Sequence, residues 1–323
     1  MSKIKNIKAR EILDSRGNPT LEVSVILESG VVGVASVPSG ASTGSREAVE
    51  LRDNDERYYG KGVQKAVNNV NTTIKEALIG TEIFHQKLID DTLIRIDGTP
   101  NKSNLGANAT IGVSIACIKA ASKEKGKEVY DYLNPREKKI PKVMFNIING
   151  GKHAKNNLDI QEFMIVPKRS TFKETLRCAS EIFHSLKKIL DDESLTSSVG
   201  DEGGFAPNLK DNRSAIGYII KSIELAGYIP GKDVFIALDV AASSLYNKEK
   251  QTYKFDGKFL TKEELLEYYL EIVREYPVIS IEDAFDENDF KGFELITERL
   301  GKEINIVGDD LFVTNKKYLQ EGI

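Results

Sequence analysis

An α/β protein in two parts is what the sequence predicts. Residues 1–134 read as an N-terminal α+β domain, a three-stranded meander plus helices, and residues 141–323 as an incomplete β/α barrel. Three observations predict this. The first 38 residues alternate in the strand manner and are broken by turn-like DSRGNP and ESG. Beyond NPREKKIPK (134–142), strand-like and helix-like runs take turns, the pattern of βα units around a parallel sheet. Finally, the aliphatic runs VFIALDV, VISIED and INIVGDD each climb to an acidic end, at Asp239, Glu282 and Asp309.

Taken in order, KNIKAREIL, TLEVSVIL and GVVGVASV are the meander. Helical periodicity follows in VQKAVNNVNTTIKEALI, in HQKLIDDTLIRI and in one long run from Ala107 to Leu133. Past the boundary, KVMFNII and QEFMIVP are strands, Thr171–Leu190 is a helix, and SVGDEGGF is a short strand end. A helix over Arg213–Ala226 precedes strand VFIALDV, and SLYNKEKQTYKFDGKF reads as a surface hairpin. Thr261–Tyr276 is a helix opened by the capping box Thr261–Glu264. Strand VISIED, a helix through Gly292–Leu300 and strand INIVGDD complete the series.

The chain has 323 residues, 40% hydrophobic and 29% charged, which is long enough for a large core and more than one domain. Its net charge is −4 and it carries no basic block, so no nucleic-acid partner is expected. No window approaches ~18 uninterrupted apolar residues, so no membrane span is expected either. The start, MSKIKNIKAREIL, has no secretory apolar core. Cys117 and Cys178 fall in helical patterns, as buried free thiols do. The expected location is cytoplasmic.

Parallel strands lying side by side would bring Asp239, Glu282 and Asp309 into one mouth, where α/β barrels carry their chemistry. Three half-buried carboxylates repel one another and call for a cation. Hard oxygen donors without histidine or cysteine select magnesium or a similar ion over zinc. The competing account makes each acid a solvated loop residue or a helix cap. It is the better account for any one strand end and the weaker for three at the same position.

DSRGNPT (14–20), PSGASTGSREA (38–48), FNIINGGKHA (145–154), DIQEFMIVP (159–167), VGDEGGFAPN (199–208), ALDVAAS (237–243), SIEDAFDE (280–287) and VGDDLFVTN (307–315) resemble enolase segments, in the family's order. They span nearly the whole chain. The resemblance implies an N-terminal α+β domain and an enolase-type β/α barrel that opens with two strands and two helices. It implies a carbon–oxygen lyase, the phosphopyruvate hydratase of glycolysis, which reversibly dehydrates 2-phosphoglycerate to phosphoenolpyruvate with two Mg2+ per active site. A homodimer or larger ring and a secondary display at the cell surface are implied as well.

On this resemblance Asp239, Glu282 and Asp309 match the ligands of the first metal. Ser42, in SGASTG, matches the mobile-loop ligand of the second, and Gly40 and Gly44 would let such a loop hinge. Read alone, that segment is a surface turn, and without a lysine it is no phosphate-binding loop. Glu202, in GDEGG, matches the acid that protonates the departing hydroxyl, where a general acid helps most because hydroxide leaves poorly. Gln161 and Glu162 match polar groups beside that acid and the substrate; on a core strand both demand partners. His153, in GGKHA, matches a loop histidine that reaches the substrate phosphate, while His85 and His184 match nothing.

The family's base is a lysine on the barrel strand after VGDDLFVTN, and the sequence stops at EGI in the helix leading there. The stretch from Pro141 to Ile323 is also shorter than the about 250 residues of a typical closed barrel. The expectations are a barrel that does not close, VGDD on an unpaired edge, and no turnover by this chain alone. Two other readings stand beside the enzyme: a non-catalytic binding protein derived from the family, and a truncated gene product. A racemase-type or cycloisomerase-type relative would typically place lysines on the second barrel strand, and QEFMIVP has none.

Overall fold

Turn-forming residues punctuate the first forty positions, and the backbone follows them. The computed structural model describes residues 2–40, 44–136 and 139–323. Strands β1 (Ile4–Leu13), β2 (Pro19–Leu27) and β3 (Val32–Ser36) form an antiparallel sheet in that order. The Asp14 carboxylate accepts the N–H of Arg16 and of Asn18 and so closes the first turn. Alternation in β2 buries Leu21, Val23, Val25 and Leu27. That face packs on α4 (Ala107–Glu124). The approach is close: a Cβ on Gly33 would lie 2.2 Å from the Ala116 carbonyl oxygen.

A helical run passes from α1 (Gln64–Asn69) through a π-helical turn (Val70–Ile74) into α2 (Lys75–Leu78), and α3 (Gln86–Asp97) follows. From the π-helical turn, Asn71 reaches the outer edge of β1. Its Oδ1 accepts the Ala9 N–H at 2.9 Å and its Nδ2 donates to the Ala9 carbonyl at 3.1 Å. The single helix expected over 107–133 is two. After α4 the chain turns at Gly126, whose φ of +64° suits glycine, and α5 (Val129–Leu133) starts anew. Cys117 in α4 is buried and free.

The second unit holds a mixed sheet in the order β11-β10-β6-β5-β4. Its strands are β4 (Phe145–Asn149), β5 (Glu162–Pro167), β6 (Val234–Asp239), β10 (Val278–Glu282) and β11 (Asn305–Val307). β4–β5 and β5–β6 are antiparallel; β6–β10 and β10–β11 are parallel. Helices α6 (Phe172–Asp192), α7 (Asn212–Leu225), α8 (Lys262–Glu275) and α9 (Phe290–Leu300) supply its crossovers, and α10 (Lys316–Gly322) follows β11. One face, with Phe163, Ile165, Ile236, Leu238 and Ile281, is buried in the same core as the apolar sides of α6 to α9. Met164, Val166 and Ala237 make a separate cluster on the other face. Among the described residues the sheet stays open, with β4 and β11 at its edges, as expected of an incomplete barrel.

The capping box at Thr261–Glu264 is present at the start of α8. Two local expectations are corrected. SVGDEGGF is not a strand end but a tight loop, and only Phe205 bridges β4, opposite Ile148. Its glycines explain this: Gly200 and Gly204 lie too close to Asn149 for any side chain. SLYNKEKQTYKFDGKF forms three strands rather than a hairpin: β7 (Tyr246–Asn247), β8 (Thr252–Phe255) and β9 (Lys258–Leu260). Asp256 and Gly257 adopt positive φ and make the second turn that the sequence reading passed over.

Candidate active site

Four polar side chains stand at the ends of strands that are otherwise mostly apolar. Strand register sets them in a line: Asn149 of β4 opposes Glu162 of β5, Glu162 opposes Asp239 of β6, and Asp239 opposes Glu282 of β10. Residues opposed across a sheet share a face, so the line is one polar row across four neighbouring strand ends. Below it the same face turns apolar at Met164 and Ala237.

Two groups of converging side chains stand on this row. Oxygens of Asp239, Glu282 and Asp283 all lie within 4.8 Å of one another. Asp239 is 8% exposed. Burial, with the charges of Glu282 and Glu162, pushes its carboxyl up to about 9. Burial and the charges of Asp283 and Asp309 push Glu282 up to about 7. Burial also raises Asp283 to about 7, against hydrogen bonds from the Asp310 and Leu311 backbone. Gln161 steadies Asp239, donating from Nε2 to Oδ2 at 3.1 Å. The Gln161 Oε1, buried, finds no donor among the described residues.

A divalent metal fits this arrangement. The donors are hard oxygens, buried and mutually repelling, and a bound cation would relieve the repulsion that lifts all three acids. Sequence expectation placed Asp309 with Asp239 and Glu282. The structure brings Asp239 and Glu282 together, and the third converging oxygen belongs to Asp283. Asp309, in the loop after β11, is exposed, while its charge still acts on Glu282.

The second group is His153, Glu162 and Glu202. His153 ends a single 3-10 turn (Gly151–His153) and is 3% exposed. Its Nδ1 lies 3.4 Å from Glu162 Oε1 and its Nε2 lies 3.7 Å from Glu202 Oε1. The Glu162 carboxylate beside it holds the imidazole above its usual range, and the Glu202 charge adds to this against burial. Burial alone would raise Glu162, but His153 and Glu202 beside it outweigh that and leave its carboxylate below its usual range.

Glu202 is exposed at the tip of a turn closed by the Gly200 N–H on the Gly204 carbonyl at 2.7 Å. Ser42 lies outside the described residues. Three residues on, Ser45 donates its N–H to Glu287 at 3.0 Å and bonds the same carboxylate through its hydroxyl. Sequence reasoning missed Asp283 and Asn149 as members of the site. The signal for Asn149 was a polar residue ending the run FNII, the same kind of signal that exposed Asp239.

Among the described residues no helix is long and apolar enough to cross a membrane. Comparison with protein families matches residues 4–133 to the enolase N-terminal domain and residues 137–323 to the enolase C-terminal TIM barrel domain. With both halves matched in order over nearly its whole length, the chain belongs to the enolase family of lyases.

Proposed function

We propose that this site serves the magnesium-assisted dehydration of 2-phosphoglycerate to phosphoenolpyruvate. The observation that carries the proposal is the row Glu162–Asp239–Glu282, which sets a cation-demanding carboxylate group beside the His153–Glu162–Glu202 group. Asp239 and Glu282 would hold the metal, with Asp309 alongside, and Ser42 is proposed for a second ion. Bound magnesium would neutralise the second negative charge that develops on the substrate carboxylate as C2 loses its proton.

Glu202 is the proposed general acid. Its carboxyl lies beside His153 and Glu162, and in its protonated form it would give its proton to a departing hydroxyl. His153, between the two acids, keeps Glu162 charged and lies close enough to the acid to bear on a substrate phosphate there. Gln161 fixes the orientation of Asp239. None of the described residues is assigned as the base for C2.

Calorimetric titration of 2-phosphoglycerate tests the assignment. Binding is expected with magnesium, and not with EDTA or in Asp239→Asn. A protein that ignores 2-phosphoglycerate in saturating magnesium would overturn it. Phosphoenolpyruvate absorbance, followed on the same samples, reports whether this chain supplies a base.

A further inference from the structure

The loop carrying Glu202 rests against one buried amide. Asn149, 0% exposed, closes β4 opposite Glu162. Its Oδ1 accepts the Gly204 N–H at 2.9 Å, and its backbone N–H donates to the Phe205 carbonyl at 2.8 Å. On the other side of the loop, the Asp201 N–H donates to the His153 carbonyl at 3.0 Å. A Cβ on Gly204 would stand 2.9 Å from Asn149 Oδ1, and one on Gly200 would stand 2.8 Å from Asn149 Cβ. The loop backbone is therefore pressed directly on this side chain. The Asn149 Nδ2, buried, has no acceptor among the described residues, so the amide is held from one end only.

We propose that Asn149 is a positioning residue for Glu202: its side-chain oxygen anchors the Gly200–Gly204 turn and so fixes the carboxyl against His153 and Glu162. The assignment deepens the proposed function, because it matters to catalysis only if Glu202 is the acid. A main-chain N–H bonded to a side chain is a fixed point in an otherwise exposed turn. Losing it frees the tip to swing while the strands beneath stay paired.

The test uses the full chain and needs no turnover. In Asn149→Ala, amide exchange at Gly204 is expected to quicken about tenfold, the range of one lost hydrogen bond. The His153 imidazole signal, one of only three histidines, is expected to move to where Glu202→Gln puts it. Asn149→Asp keeps the acceptor and should leave Gly204 exchange within about twofold of the parent. Should the alanine variant not fold, Asn149→Leu, of similar volume, removes the acceptor without a cavity.

Unchanged Gly204 exchange in the variant lacking the acceptor overturns the proposal. So does a His153 signal that responds to Glu202→Gln but not to loss of the Asn149 oxygen, or one that responds to neither. If these signals behave as expected while 2-phosphoglycerate does not bind, the anchor stands and the proposed function falls.

Discussion

Asp283 accepts the backbone N–H of Asp309 at 3.1 Å and of Asp310 at 2.8 Å, so a carboxylate at the end of β10 sets the turn at the end of β11. Asp283 reaches this position through a φ of +44°, a conformation costly to a residue with a side chain. It thereby serves two neighbours at once, the buried carboxylate group and the loop that carries Asp309.

Asp283→Ala is expected to leave both N–H groups unpaired and to cost about 1–3 kcal/mol in urea unfolding. Magnesium affinity, by calorimetry, should weaken roughly 10–100-fold, as removal of a supporting partner does at other metal sites. A variant of parental stability and affinity would show that Asp309 is placed by something else.

The metal-free protein should lose stability as pH rises. Asp239, Glu282 and Asp283 hold their protons in the fold above the pH at which the unfolded chain releases them. Stability therefore falls from the ordinary carboxylate range up to about 7 for Glu282 and Asp283, and up to about 9 for Asp239. The raised His153 acts in the same direction: its contribution is full below the ordinary imidazole range and is lost as pH passes its folded value. Glu162, lowered, matters only in acid. Thermal melts in EDTA should fall between pH 6 and pH 9, and magnesium should restore the upper end. A flat or rising midpoint in EDTA would refute the electrostatic account of the site.

Asp239→Asn separates stability from binding. The amide removes the cost of keeping Asp239 protonated in the fold at a pH where the unfolded chain releases the proton, so the metal-free variant should gain about 1–2 kcal/mol at pH 8. The same change should abolish the rise in melting temperature that magnesium gives. Retained magnesium stabilisation would remove Asp239 from the proposed ligands.

Gly33→Ala tests the close packing of β3 on α4. Its Cβ would meet the backbone of α4, 2.2 Å from the Ala116 oxygen and 2.4 Å from the Ala120 nitrogen, and neither can rotate away. A loss of about 3 kcal/mol is expected in denaturant unfolding. A neutral substitution would mean that strand and helix can separate without cost.

Hydrophobic periodicity made the strands and the long amphipathic helices legible, and the acids ending VFIALD and VISIE stood out against it. Glu282 was legible because strand alternation puts it on the face of Asp239. Asp283 was not, because alternation sends the next residue to the opposite face, and only its positive φ folds it back. The break at Gly126 was hidden because apolar residues continue in step on both sides of it. Asn149 carried a local signal as the polar end of FNII, but its contact with Gly204, far along the chain, is announced by no local pattern.

The hold of Asn71 on Ala9 has a bearing on how the molecule meets its neighbours. An outermost strand offers unused donors and acceptors to any passing extended segment, and stacking of that kind leads to insoluble fibres. Along β1 the outward N–H and C=O of Ala9 are already occupied by an amide from the same chain. An intruding strand would have to evict that amide before it could align, and nearer the start of β1 the Ile4 N–H and C=O are likewise taken, by Thr81 and Gly80.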